Sequence, residues 1–354
     1  MMKAAVYHGP RDIRIQAVPE PAKPGPDEVL LAVLRGAICG TDVEEYLHGP
    51  RFTPLTQRHP VSGHVGPMII GHEFVGRIVE VGAGVENLTV GQRVVPGAGM
   101  WCGQCERCRA GRTNLCARYY TLGLNANGGL AERVKTPARM CRPVPEGCSD
   151  DGAAMAQPLA VALHAVRRSG ATPGQTVALM GVGGIGMFML AGARAQGLGP
   201  IIVIDVDEER LAKAARLGAD HLVNARTEEP LDRIRAVTDG AGVHVFLEAS
   251  GAPHGPALAL DGVQDGGQVL LVGLQSEPRS LDLRKMVLRE INVGTTVAHV
   301  CDVDLPEALH VLATTELVST ALDRVIPLDR LVDDGLLAMS AGRAKGKIVV
   351  DPRS

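Results

Sequence analysis

The hexamer Gly181-Val182-Gly183-Gly184-Ile185-Gly186 follows the apolar run TVALM and opens a helical stretch, GIGMFMLAGARAQG. No other feature of the chain limits its fold as strongly. Between a strand and a helix, the G-x-G-x-x-G spacing serves a tight turn, a close backbone approach and close helix–strand packing, one glycine for each. The helix N-terminus then offers N–H donors and a favourable dipole to phosphate groups. In a chain with 43 glycines the hexamer alone also reads as a flexible turn, so its context decides. Asp205, 24 positions after Gly181, closes the next apolar run, IIVID. A carboxylate there accepts hydrogen bonds from ribose hydroxyls and repels a 2′-phosphate, so the pattern favours NAD(H) over NADP(H). A helix N-cap ahead of DEERLAKA is the other role open to Asp205, and the two are compatible.

The rhythm around the hexamer extends the inference. QTVALMG, PIIVIDV, VHVFLEAS and QVLLVGL read as strands, with helical stretches between them at 184–197, 207–218 and 254–262. Alternating strands and helices predict a doubly wound parallel sheet of the Rossmann type. The first 150 residues differ. They hold short β-like runs such as KAAVYH, EVLLAVLRG, GRIVEVG and GQRVVPG, punctuated by Gly and Pro, which predict an antiparallel barrel or sandwich. The stretch 46–70 lacks periodicity and reads as a long loop. SDDGAAMAQPLAVALHAVRRSG predicts helix capped by Ser149 or Asp150, with Pro158 starting a new segment or bending it.

A length of 354 residues fits two domains. Net charge is −3, which provides no basic field for nucleic acid and no polybasic surface for an anionic membrane. The longest apolar run, 177–193, is broken by five glycines and is short for a membrane span of about 20 residues. The start, MMKAAVYHGP, lacks the apolar stretch of a secretory signal, so a cytoplasmic protein is expected. Eight cysteines in a chain of this size fit reduced thiols, some on metal, better than a disulfide framework.

Four of those cysteines, Cys102, Cys105, Cys108 and Cys116, lie in the run WCGQCERCRAGRTNLC. Thiolates at this spacing suit one tetrahedral Zn²⁺, and a closed four-sulfur site leaves no position for a substrate, so its metal is structural. A second set is sparser: Cys39 in ICGTD, with His72 and Glu73 in GHEFVG. Together these could hold a second zinc with an open position; read singly, they are also a packed core thiol and a polar surface pair.

In combination and in order, CGTD at 39–42, GHEFVGRIVEVGAGV at 71–85, GQRV at 91–94, the four-cysteine run, QPLAVALHAV at 157–166, GVGGIG at 181–186 and Asp205 span nearly the whole chain. In these motifs the chain resembles the zinc-containing medium-chain dehydrogenases/reductases. EYLHGPRFTP…HPVSG…IIGHEFVG is similar to the sorbitol and (R,R)-butanediol dehydrogenase type. The resemblance implies a GroES-like β-rich catalytic domain from 1–155 and 300–354, with a structural-zinc lobe at 96–117. It implies a Rossmann NAD-binding domain at 156–299. Cys39, His72 and Glu73 would surround the catalytic zinc, and Thr41 matches the hydroxyl that contacts the alcohol. Ile185, Arg210, Val272, Gly273 and Leu274 match contacts to the cofactor. A homodimer or homotetramer is implied as well.

The chain departs from the pattern in places. Gln157 stands where a further Glu or Cys ligand is common, a neutral and weaker oxygen donor that some sugar dehydrogenases of the superfamily share. Glu44 occupies the position of the expected relay histidine, and a solvated helix face is its other reading. The segment GTTVAH lacks the arginine that sorbitol-type enzymes tend to carry. The expected activity is zinc-dependent, reversible oxidation of a secondary alcohol, a diol or polyol, with two zinc ions per chain. The alternatives are a glucose- or cyclitol-type dehydrogenase with the same metal chemistry, and a non-catalytic NAD-binding protein that kept the fold.

Overall fold

The computed structural model describes residues 1–354. Ten strands come first: β1 (Met2–Gly9), β2 (Asp12–Val18), β3 (Glu28–Ala37), β4 (Met68–Ile69), β5 (Glu73–Val81), β6 (Arg93–Pro96), β7 (Gly99–Met100), β8 (Tyr120–Thr121), β9 (Arg133–Pro137) and β10 (Cys141–Pro143). Six more follow: β11 (Val177–Met180), β12 (Ile201–Asp205), β13 (His221–Asn224), β14 (Val243–Glu248), β15 (Val263–Leu271) and β16 (Asn292–Thr295). Two strands end the chain, β17 (Leu322–Pro327) and β18 (Lys347–Asp351). The chain divides into two compact units, one made of Met1–Gln157, Val300–Val318 and Leu322–Ser354, the other of Pro158–His299 and Ser319–Ala321. No helix is long and apolar enough to cross a membrane.

The first unit carries a sheet in the order β10-β6-β5-β3-β18-β17, with β9 also on β3, and a smaller sheet β2-β1-β4. β3 is its centre: it pairs antiparallel with β5 along its length, with β9 at its start and with β18 at its end. The buried positions of β3 are Val, Leu and Ala, which suits a strand covered on both faces. Directly after β3, helix α1 (Gly40–His48) turns its Val43 and Tyr46 into a core shared with Ile38, Ile70, Leu130 and Ile348. That packing fixes the start of α1 beside the ends of β3 and β18. From His48 to β4 the chain has no regular element, as its lack of periodicity predicts. Glu45 organises the start of this loop, its buried carboxylate accepting the N–H groups of Arg51, Phe52 and Thr53.

Near the unit boundary, Ser149 Oγ accepts the N–H of Gly152 at 3.0 Å and caps a single turn, Asp150–Ala153. A second helix, α2 (Ala156–Arg168), then begins with Pro158 in its first turn, where no backbone donor is required.

The second unit is built on one parallel sheet in the order β13-β12-β11-β14-β15-β16. Helices α3 (Gly184–Ala195), α4 (Glu208–Arg216), α5 (Pro230–Val237) and α6 (Gly255–Gly262) follow β11, β12, β13 and β14 in turn, and a short helix, Leu283–Leu288, precedes β16. β11 and β12 are buried at every position, and their sequences are apolar up to Asp205 at the end of β12. The order reverses at β11/β14, and the crevice outside the carboxyl ends at such a point is where ligands bind in sheets of this kind.

Candidate metal centres and cofactor site

Strand register brings the sparse trio together. Ala37, at the end of β3, pairs with Glu73, at the start of β5. Gly71, at φ +95°, turns the chain into β5, and a methyl group there would lie 2.5 Å from Leu130 Cγ. Cys39 is two residues beyond β3 and caps α1, so its sulfur sits at a helix N-terminus. One ligand atom from each of Cys39, His72 and Glu73 lies within 4.8 Å of the others.

The surrounding groups are those of a cation site. Asp42 Oδ2 accepts the N–H of Cys39 at 2.8 Å, while Oδ1 faces His72 Nδ1 at 3.6 Å. Asp42 Oδ1, His72 Nδ1 and both carboxylate oxygens of Glu73 are buried without an aligned hydrogen-bond partner. Lys347 Nζ approaches Glu73 Oε2 at 2.5 Å, but off the direction of a hydrogen bond, so this is an ion pair that leaves the oxygen free to bind elsewhere. Burial opposes a charge on His72, yet Asp42 and Cys39 outweigh it and raise the imidazole well above its usual 6.5. A pocket that pulls a proton onto a fully enclosed histidine is short of positive charge. Sulfur, imidazole and carboxylate donors around such a pocket fit Zn²⁺.

Thr41 Oγ1 lies 3.7 Å from Cys39 Sγ, which puts its hydroxyl beside this centre. Gln157 is half-buried in the first turn of α2. Glu44 does not join the trio. α1 buries Asp42, Val43, Glu45 and Tyr46, and that phase turns Glu44 to solvent, 52% exposed and 3.5 Å from Arg51. Of the two readings of Glu44, this exposure fits the solvated helix face. Asp42 and Lys347 are the functional neighbours that sequence reasoning missed. Asp42 lies inside the quoted CGTD run, but nothing in the sequence pairs Lys347 with a residue near the other end of the chain.

The four-cysteine lobe closes on itself. Cys105 caps the single turn Glu106–Arg109, which sets Cys108 on the same side, and the turn Thr113–Leu115 returns Cys116 to them. Sulfur–sulfur distances are 3.5 Å for Cys105–Cys108 and Cys102–Cys116, 3.9 Å for Cys105–Cys116 and 4.0 Å for Cys102–Cys108. A tetrahedron with zinc–sulfur bonds of about 2.3 Å has edges of about 3.8 Å. Backbone N–H groups of Cys102, Gln104 and Arg118 point at the sulfurs, as thiolates require. N–H donation from Ala117 and Cys108 lowers Cys105 to about 6, while burial and the neighbouring thiols push Cys108 up to about 12. Four sulfurs at these separations, with backbone N–H groups directed at them, fit Zn²⁺.

At the glycine hexamer the three roles are distinct. Gly181 has φ +87°, and a methyl group on it would lie 2.6 Å from Ser250 Cα. On Gly186 a methyl would lie 1.8 Å from Gly181 O, so only glycine lets α3 pack there. Gly183 faces open space bounded by Arg210, whose Nη1 is 3.6 Å from where its methyl would be. An open backbone beneath a guanidinium at a helix N-terminus suits a pyrophosphate. Ile185 follows in the first turn of α3. Asp205 accepts the N–H of Val182 at 2.8 Å on one oxygen and those of Val206 and Asp207 on the other. It therefore ties the hexamer to the end of β12. The cap of α4 is Asp207, which accepts from Glu209 and Arg210, so Asp205 is not the N-cap. Val272 and Gly273 donate their N–H groups to Glu248 O, and Leu274 beyond them is 91% exposed.

Two family models and several known proteins match the chain. Residues 25–146 match the family model described as "Alcohol dehydrogenase GroES-like domain", and residues 184–314 match that described as "Zinc-binding dehydrogenase". Sorbitol dehydrogenase of Bacillus subtilis is 37% identical over 78% of this chain and 76% of its own. (R,R)-butanediol dehydrogenase of the same organism is 33% identical over 99% of this chain and all of its own. The crystal structure of 2R,3R-butanediol dehydrogenase from Bacillus subtilis superposes with a TM-score of 0.91 at 31% identity, covering 99% of this chain and 100% of that one.

Proposed function

The chain belongs to the zinc-binding alcohol dehydrogenases, and from that premise we propose that it interconverts a secondary alcohol, a vicinal diol or polyol, with its ketone, using NAD(H). The observation that carries this reading is the convergence of Cys39, His72 and Glu73 around buried acceptor atoms that lack partners. Cys39, His72 and Glu73 hold the catalytic zinc, and Gln157 offers a neutral further donor. Asp42 orients His72, and Lys347 balances the charge of Glu73. Thr41 Oγ1 receives the hydroxyl proton of the alcohol and passes it on. When bound, Zn²⁺ supplies Lewis-acid polarisation of the alcohol oxygen, and NAD⁺ accepts the hydride. The balance is alcohol plus NAD⁺ to ketone, NADH and one proton.

Gly181, Gly183, Ile185, Gly186 and Arg210 receive the pyrophosphate. Asp205 takes the adenosine ribose hydroxyls, and Asp207, Glu208 and Glu209 nearby add to a field that repels a 2′-phosphate, which supports NAD(H) over NADP(H). Val272, Gly273 and Leu274 border the nicotinamide half. The second zinc is structural, on Cys102, Cys105, Cys108 and Cys116, giving two per chain. Family likeness supports a homodimer or homotetramer, and eight free thiols support a reducing compartment such as the cytoplasm.

Gln157 favours a second reading, an aldose or cyclitol substrate on the same metal chemistry. A screen of NAD⁺ reduction across diols, polyols, aldoses and cyclitols, with zinc counted in the same preparation, separates the two. Fastest turnover of a vicinal diol supports the first reading and fastest turnover of an aldose the second. Absence of turnover on the whole panel with two zinc ions bound refutes both.

A further inference from the structure

Glu248 ends β14 and is fully buried. Its Oε1 accepts the N–H groups of Ser250 at 2.8 Å and Gly251 at 3.1 Å, together with the Ser250 hydroxyl. Its backbone oxygen accepts from Val272 at 2.8 Å and Gly273 at 3.0 Å. One residue therefore joins the turns that follow β14 and β15. The start of α6 closes over it, since a methyl group on Gly255 would lie 2.8 Å from Oε1. Two backbone donors, a hydroxyl and a helix N-terminus thus surround this one oxygen.

The other oxygen is unexplained by the protein. Oε2 is buried, has no hydrogen-bond partner, and no Lys, Arg or His forms an ion pair with Glu248. It lies against Gly273, where a methyl group would be 2.7 Å away. A buried carboxylate oxygen without a partner is costly, and the protein supplies no counter-charge for it. In a sheet of this order the first half, β11 to β13, receives the adenosine side of a dinucleotide, which leaves the ends of β14 and β15 to the other nucleotide. That nucleotide carries a positive ring when oxidised and a neutral ring when reduced.

The geometry points to Glu248 as a positioning residue that also sets the balance between oxidised and reduced cofactor: its unmatched negative charge favours the nicotinamide cation of NAD⁺ over neutral NADH. This rests on the dinucleotide reading above. At an effective dielectric near 20, a unit charge acting over about 10 Å changes a cation's affinity by on the order of tenfold.

The test is the dissociation constant of NAD⁺ and of NADH, measured separately by calorimetry on the zinc-loaded full chain. Glu248→Gln keeps an oxygen for the donors of Ser250 and Gly251 and removes the charge. The ratio Kd(NAD⁺)/Kd(NADH) rises about tenfold in this variant, whereas a role confined to holding the turns weakens both cofactors equally and leaves the ratio unchanged, which overturns the proposal. If Glu248→Gln does not fold, Ser250→Ala strips one donor from Oε1 and leaves the carboxylate less shielded. NAD⁺ then tightens relative to NADH, and a ratio that is unmoved or moves the other way overturns the proposal. Failure of the unmodified protein to bind either cofactor instead refutes the dinucleotide reading itself.

Discussion

Lys347 Nζ lies 2.5 Å from Glu73 Oε2, and both side chains are buried at the rim of the Cys39–His72–Glu73 centre. The contact follows from register: Val349 pairs with Ala37, and Ile38 N–H donates to Ile348 O, so Lys347 falls beside Cys39 at the end of the same ladder. Glu73, Cys39 and Asp42 keep the ammonium charged against the opposing effect of burial. Removing the lysine strands a buried carboxylate, a change that costs about 3–5 kcal/mol. On the proposed reading, zinc at this centre supplies the missing charge. Lys347→Met is therefore expected to destabilise the zinc-stripped protein steeply and the zinc-loaded protein much less. Thermal unfolding with and without zinc measures this, and an equal loss in both states counts against the ion-pair account.

The proton that His72 holds in the stripped protein has a pH signature. Its folded value is raised above 6.5, so the stability it contributes is complete below about pH 6.5 and is lost as pH climbs through the raised value. Asp42→Asn removes the first cause of the rise. Across this window the zinc-stripped parent should lose melting temperature with rising pH, and the Asp42→Asn variant should lose less. In zinc-loaded protein the histidine is a neutral ligand and this difference should vanish.

The proposed preference for NAD(H) rests on Asp205. Its charge-assisted hydrogen bonds to ribose are worth about 1.5–3 kcal/mol, or roughly ten- to a hundredfold in affinity. Asp205→Asn is expected to raise the KM for NAD⁺ by about tenfold or more and to lower that for NADP⁺. Initial rates with each cofactor decide it, and an unchanged ratio of the two kcat/KM values would contradict the assignment.

The structural lobe carries its own reporter. Trp101, the chain's one tryptophan, adjoins Cys102 and is stacked under Arg139 at 5.7 Å. Cys105→Ser should reduce bound zinc from two per chain to one and shift Trp101 emission toward that of an exposed indole, while NADH binding persists. Loss of cofactor binding with Trp101 emission unchanged would refute the division between the two metal sites.

What the sequence disclosed follows the range of the interactions involved. The hexamer and the cysteine run act over a few residues each, so spacing alone exposes their chemistry, and β11, which leads into the hexamer, is buried at every position and apolar throughout. The neighbours of the sparse trio depend on pairing between distant strands, and a one-residue slip of β18 would move Lys347 out of reach, so no local pattern marks it. Glu44 and Glu45 are adjacent and chemically alike. Only the packing of Val43 and Tyr46 decides that Glu45 turns inward to hold the loop at 51–53 and that Glu44 meets water. Glu248 was legible as the end of a strand, but its unmatched oxygen is a property of how two turns and a helix close over it.

The central claim is that Cys39, His72 and Glu73 hold the zinc at which the alcohol reacts. Its most direct test is alcohol-dependent NADH formation by His72→Ala, with zinc and NADH binding measured on the same sample. The account predicts one zinc per chain, cofactor binding intact, and turnover reduced by on the order of a thousandfold or more. Turnover near the parent rate in a variant that retains only the four-cysteine zinc would contradict it.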